Sequence, residues 1–332
     1  MKNTSLSLEY EHRLWESGIH LVAGIDEAGR GPFAGPVVAA AVVFNEQSEI
    51  LEGINDSKKL TPKKREKLYD VILHNAKAIG IGIVESEEID RINILQATYK
   101  AMRQAVGRLK LKPGHLLIDG RPIPDKIYPS TAIVGGDGKC YSIAAASIVA
   151  KVYRDRLMME LDSVFPHYGF AKHKGYGTEM HRKAIATFGP CPIHRKSFGG
   201  VKEFVVSSEQ MRDTKQVGKY GEDLAAYYLY RNGFKIIARN VHIGAYGELD
   251  IIAQKGEDLC FVEVKTERHS GGYGPPETWV DERKMKQLTL IADGWLSQRP
   301  ELDLNCRFDV IGVTIRGSEN KITHLPDAFR PE

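Results

Sequence analysis

Residues 24–36, Gly-Ile-Asp-Glu-Ala-Gly-Arg-Gly-Pro-Phe-Ala-Gly-Pro, constrain this chain more than any other stretch. They lie between two apolar runs, 21–25 and 37–44, so Asp26 and Glu27 fall where a buried strand gives way to a glycine-rich turn. Isolated carboxylates in such a place take up protons, so the pair calls for a compensating cation, and a hard metal with oxygen ligands fits best. Adjacent residues on an ideal strand face apart, so the two acids share one site only if the strand breaks at that point. Gly29 and Gly31 flank Arg30 and let backbone N–H groups approach a ligand that a Cβ would hold off. A metal site beside such a cradle suits phosphate.

The same logic recurs downstream. Residues 115–118 form an apolar strand ending at Asp119, which a glycine follows; alone it would read as a turn residue, but beside a second strand-end pair it reads as a ligand. Asp137, in Gly-Gly-Asp-Gly before the small-residue helix 142–151, reads by itself as a turn former. Tyr176 sits between two glycines in a basic segment, an arrangement suited to stacking on a sugar or base, although an isolated tyrosine is commonly half-buried structure.

With 332 residues and 42% hydrophobic content, two domains are expected. Four scattered cysteines, Cys140, Cys191, Cys260 and Cys306, fit neither a zinc site nor a disulfide framework, which points to a reducing cytoplasm. Neither a signal-type N-terminus nor a membrane-length apolar run is present, so no membrane partner is expected. Through residue 206 there are 29 Lys and Arg against 23 Asp and Glu, leaving 17 against 20 beyond it. The first part is therefore the better polyanion binder, with His167, Lys172, His173, Lys174, His181, Arg182, Lys183, His194, Arg195 and Lys196 concentrated in one segment. On charge alone, a solvated basic face explains that segment equally well.

Strands alternate with helices: helix 5–17, strands 21–25 and 37–44, helix 62–76 capped by Thr61, strand 78–84, helix 94–109, then strand 115–118. This indicates a layered α/β core. The polar run 207–215 reads as a linker between domains at 1–206 and 216–332. In the second domain, helices are expected over 218–232 and 281–296, and strands over 234–238, 249–253, 259–264 and, last, 308–315.

Residues 24–36 resemble the opening motif of bacterial ribonuclease HII, and the similarity over residues 1–205 continues at 56–60, 117–120, 142–151, 174–178 and 188–198. The resemblance implies an α/β fold with an RNase H-like mixed sheet, flanking helices and a helical C-terminal part that helps hold the duplex. It implies an endoribonuclease that hydrolyses the RNA strand of RNA–DNA hybrids and cuts 5′ to ribonucleotides embedded in DNA. Asp26, Glu27, Asp119 and Asp137 would then be the catalytic ligands of two Mg²⁺ or Mn²⁺ ions, one activating water and the other stabilising the leaving 3′-oxygen. Gly29, Arg30 and Gly31 would read the 2′-hydroxyl, and Tyr176 would stack at the RNA–DNA junction. The rival, a non-catalytic hybrid-binding protein, tolerates loss of a carboxylate, and the presence of all four argues against it.

In the second domain, Glu263 and Lys265 share one strand face by the period of 2, with Asp250 on a preceding strand and Glu222 on the first helix. This set resembles the Asp…Glu-x-Lys core of restriction-endonuclease-like nucleases, and residues 215–332 resemble the small bacterial YraN-type family, implying a smaller α/β domain. Glu263 and Lys265 could equally be a same-face ion pair on a wet sheet. A metal-dependent DNA nuclease acting on other DNA structures and a non-catalytic hybrid-, DNA- or partner-binding module both remain open for this domain.

Overall fold

A computed structural model describes residues 6–48, 51–124, 127–206, 213–268, 279–316 and 319–330. The chain divides into two compact units: residues 1–159, 171–178 and 193–202 form the first, and residues 160–170, 179–192 and 203–332 the second. Most of the linker expected at 207–215 lies outside the described residues; Asp213 already caps a helix by accepting from the Lys215 N–H.

The first unit is built on a five-stranded mixed sheet. Its strands are β1 (Val22–Ala28), β2 (Val37–Phe44), β3 (Ala78–Val84), β4 (His115–Asp119) and β5 (Ser130–Ile133), in the order β3-β2-β1-β4-β5. β2 is antiparallel to both neighbours, whereas β4 runs parallel to β1 and to β5. All eight side chains of β2 are buried because helices cover both faces of the sheet. Val42 and Phe44 pack with Ile143 to Val149 of the long helix α5 (Tyr141–Val164), and Ala39, Ala41 and Val43 pack with Ala101, Met102 and Ala105 of α4 (Ile94–Gly107). Ala144, Ala145 and Ala146 are wholly buried, the close approach that their small size foretells.

Helix α1 (Glu9–Glu16) serves the start of α5. The buried Glu11 carboxylate accepts from the Ser142 N–H and hydroxyl, each at 2.7 Å, and from the Cys140 thiol. An acid thus satisfies first-turn donors that α5 cannot satisfy internally.

The second unit's sheet contains β6 (Lys235–His242), β7 (Glu248–Lys255), β8 (Asp258–Glu267), β9 (Asn305–Arg316) and β10 (Glu319–Phe329), ordered β10-β9-β8-β7-β6. Helix α9 (Glu282–Leu296) packs Leu288, Ile291 and Trp295 against Leu249, Phe261 and Phe308, while α8 (Thr214–Arg231) approaches the alternate face at Thr266.

Several elements differ from expectation. α5 extends thirteen residues beyond position 151, and α3 (Ser86–Ile92), β5 and α7 (Glu179–Phe188) were not foreseen. The strand expected to be last, β9, pairs with a further strand, β10. β1 does not break at Asp26 and Glu27: it keeps register with β2 through Ala28 opposite Val38, so the acids point to opposite faces. The basic segment is not one solvated surface, because His173, His181, His194 and Arg195 are buried.

Candidate active site

Parallel pairing sets Ile25 beside Ile118, so the next residues, Asp26 and Asp119, emerge together at the C-terminal ends of the two central strands. Asp137 arrives from a 3₁₀ turn (Gly136–Gly138), whose Gly136 N–H donates to Asp119 Oδ1 at 2.7 Å. One carboxylate oxygen from each of Asp26, Asp119 and Asp137 lies within 4.8 Å of the others. Glu27 is outside this group; its Oε1 accepts from Arg30 Nη1 at 3.1 Å.

The cluster is poorly neutralised. Burial first, then the charges of Glu27 and Asp119, push Asp26 well above the ordinary carboxylate range, and burial and Asp137 raise Asp119. Burial also raises Glu27 despite the opposing Arg30. Lys58 Nζ lies 3.0 Å from Asp137 Oδ2, and although burial opposes it, this bond raises the lysine's pKa. Against three clustered carboxylates this is one ammonium, so the donor set fits a hard divalent cation with oxygen ligands.

Two residues that sequence reasoning missed orient the cluster. Ser147 on α5 hydrogen-bonds to Asp26, and its Oγ is 2.9 Å from the buried Ser57 Oγ. Lys58 belongs to the Asp56-Ser57-Lys58 turn that also supplies Ser57.

Beside the acids, Gly29 has φ +95°, and a Cβ there would lie 2.1 Å from Arg154 Nε, whereas a Cβ on Gly31 would meet no heavy atom within 4 Å. Gly31 thus faces open space. Tyr176 is 43% exposed, with Lys151 Nζ 5.8 Å and the Arg154 guanidinium 6.0 Å from its ring centre. Burial lowers Arg154 to about 10, and burial with the neighbouring Arg154 charge lowers Arg195 to about 9; both stay cationic at neutral pH.

The second unit gathers Glu222, Asp250, Glu263 and Lys265 around one cavity of about 580 Å³. Asp250 Oδ2 accepts from the Val264 N–H at 2.6 Å, and burial followed by the Glu263 charge pushes its pKa up to about 8. Lys265 Nζ is 2.7 Å from Glu263 Oε1, and Lys284 of α9, unforeseen from sequence, brings Nζ to 3.0 Å from Oε2. Glu222 accepts from Asn240 Nδ2 at 2.9 Å, and burial raises its pKa.

Carboxylates converging at the ends of two parallel central strands are the donor set that metal-dependent nucleases use, and the class here is a nuclease of the RNase H type. Residues 23–201 match the family model described as Ribonuclease HII, and the chain belongs to the ribonuclease HII family. Ribonuclease HII of Geobacter metallireducens is 57% identical over 196 residues, 59% of this chain and 92% of that relative. Ribonuclease HII of Acetivibrio thermocellus is 57% identical over 197 residues, covering 59% and 76% of the two chains. The crystal structure of the ribonuclease H2 from Pyrococcus horikoshii aligns with a TM-score of 0.47 at 29% identity, covering 55% of this chain and 96% of the other. Residues 221–313 match the model of uncharacterised protein family UPF0102. The protein is a nuclease with ribonuclease H activity, in a family that is divalent-metal dependent. Among the described residues no helix is long and apolar enough to cross a membrane.

Proposed function

We propose that residues 1–206 form a domain that hydrolyses the RNA strand of RNA–DNA hybrids and cuts 5′ to ribonucleotides embedded in DNA, in the cytoplasm. The observation that carries this reading is the convergence within 4.8 Å of Asp137 with Asp26 and Asp119, which close the two parallel central strands. Asp26, Asp119 and Asp137 would hold Mg²⁺ or Mn²⁺, with Glu27, close enough to Asp119 for their charges to interact, at the edge of the set; the bound metal would activate water and stabilise the leaving 3′-oxygen. Gly29, Arg30 and Gly31 present backbone N–H groups and a guanidinium to the ribose 2′-hydroxyl and its phosphate, and Tyr176 stacks at the junction. Ser147 fixes the Asp26 carboxylate, and Lys58 does the same for Asp137.

The test is Asp119→Asn, which removes a ligand charge at nearly constant shape. Hybrid cleavage is expected to disappear while hybrid binding and thermal stability, both measured in EDTA, stay near wild type. Near-normal turnover with Asn would remove Asp119 from the site.

For residues 216–332, joined through the linker 207–215, we infer a nuclease-like site acting on DNA, in which Asp250 and Glu263 bind a divalent ion, Lys265 assists the attacking water and Glu222 borders the ion. The support is the shared cavity and the raised pKa of Asp250, which ionises readily only beside a cation. One observation favours the other reading, a binding or docking module: Lys265 and Lys284 both already pair with Glu263. The full chain carrying Asp119→Asn, incubated with Mn²⁺ and duplex or branched DNA, separates the two. Residual cutting lost in the Glu263→Gln double variant supports the nuclease; absence of cutting in both supports the module.

A further inference from the structure

We propose that Arg195 is the positioning residue that sets ribose selectivity, an inference resting on the reading of residues 29–31 as the 2′-hydroxyl reader. Arg195 is 0% exposed, so it touches no nucleic acid itself. Its guanidinium spends its donors on one loop: Nη2 donates to the carbonyls of Gly29 (2.5 Å) and Gly35 (2.9 Å), Nη1 to that of Arg30 (2.9 Å), and Nε again to Gly35 (3.1 Å). In a trans peptide the C=O of one residue and the N–H of the next point in opposite directions. Drawing the Gly29 and Arg30 carbonyls inward therefore turns the N–H groups of Arg30 and Gly31 outward. Among the described residues neither N–H has a protein acceptor, and a Cβ on Gly31 would meet nothing within 4 Å. Two free donors on the loop whose Arg30 side chain pairs with Glu27 are a receptor for an oxygen on the sugar or its phosphate.

The support behind Arg195 is built for this task. No carboxylate lies at ion-pair distance among the described residues; the guanidinium is held by carbonyl oxygens and by the Phe198 ring, 5.1 Å from its centre. Asp90 pins the turn that follows, accepting from the Lys196 N–H (2.7 Å), the Ser197 N–H (2.9 Å) and the Ser197 hydroxyl (2.6 Å). Arg154 secures the far side of the loop through the carbonyls of Ala34, Pro36 and Lys174. A lysine at 195 offers a single ammonium and cannot reproduce a planar fork reaching three carbonyls. Losing the fork frees the loop to rotate its peptides. Phosphate contacts elsewhere, which carry no information about the sugar, are untouched.

The experiment measures equilibrium binding of the full chain, in EDTA, to a DNA duplex holding one ribonucleotide and to the same duplex without it. The readout is the ratio of the two affinities. Arg195→Lys is expected to lower this ratio by about fivefold or more, as loss of an aligned hydrogen bond does, while affinity for the all-DNA duplex changes less than about twofold. Equal losses for both duplexes, or an unchanged ratio, overturn the proposal. Asp90→Ala, at the surface, is expected to lower the ratio by about two- to threefold; if Arg195→Lys does not fold, an unchanged ratio in Asp90→Ala overturns it instead. Gly31→Ala tests the underlying reading, since its methyl group touches no protein atom but occupies the approach to the two N–H groups. A wild-type ratio in Gly31→Ala means that the loop does not read the sugar. A lowered ratio there, with both other variants at wild type, means that the loop reads it without Arg195.

Discussion

Tyr176 and Arg195 belong to one basic segment yet differ in burial, the first partly exposed and the second wholly buried. Tyr176 presents a ring face between Lys151 and Arg154, where a base can stack. Tyr176→Ala should weaken binding of a duplex with one ribonucleotide by about 1–3 kcal/mol, read by fluorescence anisotropy. Unchanged binding and cleavage would reduce the ring to surface structure. Asp26 and Asp119 are legible in sequence because a carboxylate closing an apolar run is costly and needs a reason. A shared site for both acids required β1 to break at Glu27; the strand stays unbroken, and Arg30, three residues on, pairs with that acid. Ser147 and Arg195 left no local sign. Their partners, Ser57 and Gly29 to Gly35, lie 90 or more residues away, and an arginine buried on backbone carbonyls has no matching acid to betray it.

At the scale of elements, the strands and helices with uniform burial were readable, and those defined by pairing were not. β2 announces itself by eight apolar residues, and α4 by its spacing. β5 has two exposed residues and an intermediate one among its four, and β10 carries Lys321, Thr323, His324, Pro326 and Asp327, so neither shows a clean alternation. β10 is held instead by Asp309 of β9, whose wholly buried carboxylate accepts from His324 Nε2 (2.9 Å), the Asp327 N–H (3.0 Å) and Arg307 Nε (3.0 Å). Burial alone would raise its pKa, but these donors outweigh burial and hold it below the ordinary value. A carboxylate depressed on folding contributes stability that is fully present above its unfolded pKa of about 4 and is lost as pH falls through the folded value. Asp309→Asn should therefore destabilise the second unit by about 1–3 kcal/mol at pH 7 and shrink the difference from wild type below about pH 4, measured by urea unfolding. A gap that stays constant down to pH 3 would show that Asp309 acts by shape alone.

For the molecule as a whole, the decisive physical fact is that each unit carries acids that folding has left short of positive charge, at Asp26 with Asp119 and at Asp250. A cation that binds only the folded state stabilises it by mass action, by about 2.7 kcal/mol when its concentration is a hundredfold above Kd. Removing divalent metal with EDTA should accordingly lower the thermal stability of the full chain, and single variants divide the effect. Asp119→Asn should abolish the part of the Mn²⁺-induced rise that comes from the first unit. Glu263→Gln should abolish a second part only if Lys265 and Lys284 yield their carboxylate to the ion, because two ammonium groups within 3.0 Å already satisfy much of its charge. With ligands in separate units and no shared partners, the two losses should add in the double variant. If Asp119→Asn removes the whole rise and Glu263→Gln removes none of it, the lysines hold Glu263 against the metal and the second site is a charge-balanced cavity suited to binding rather than cutting.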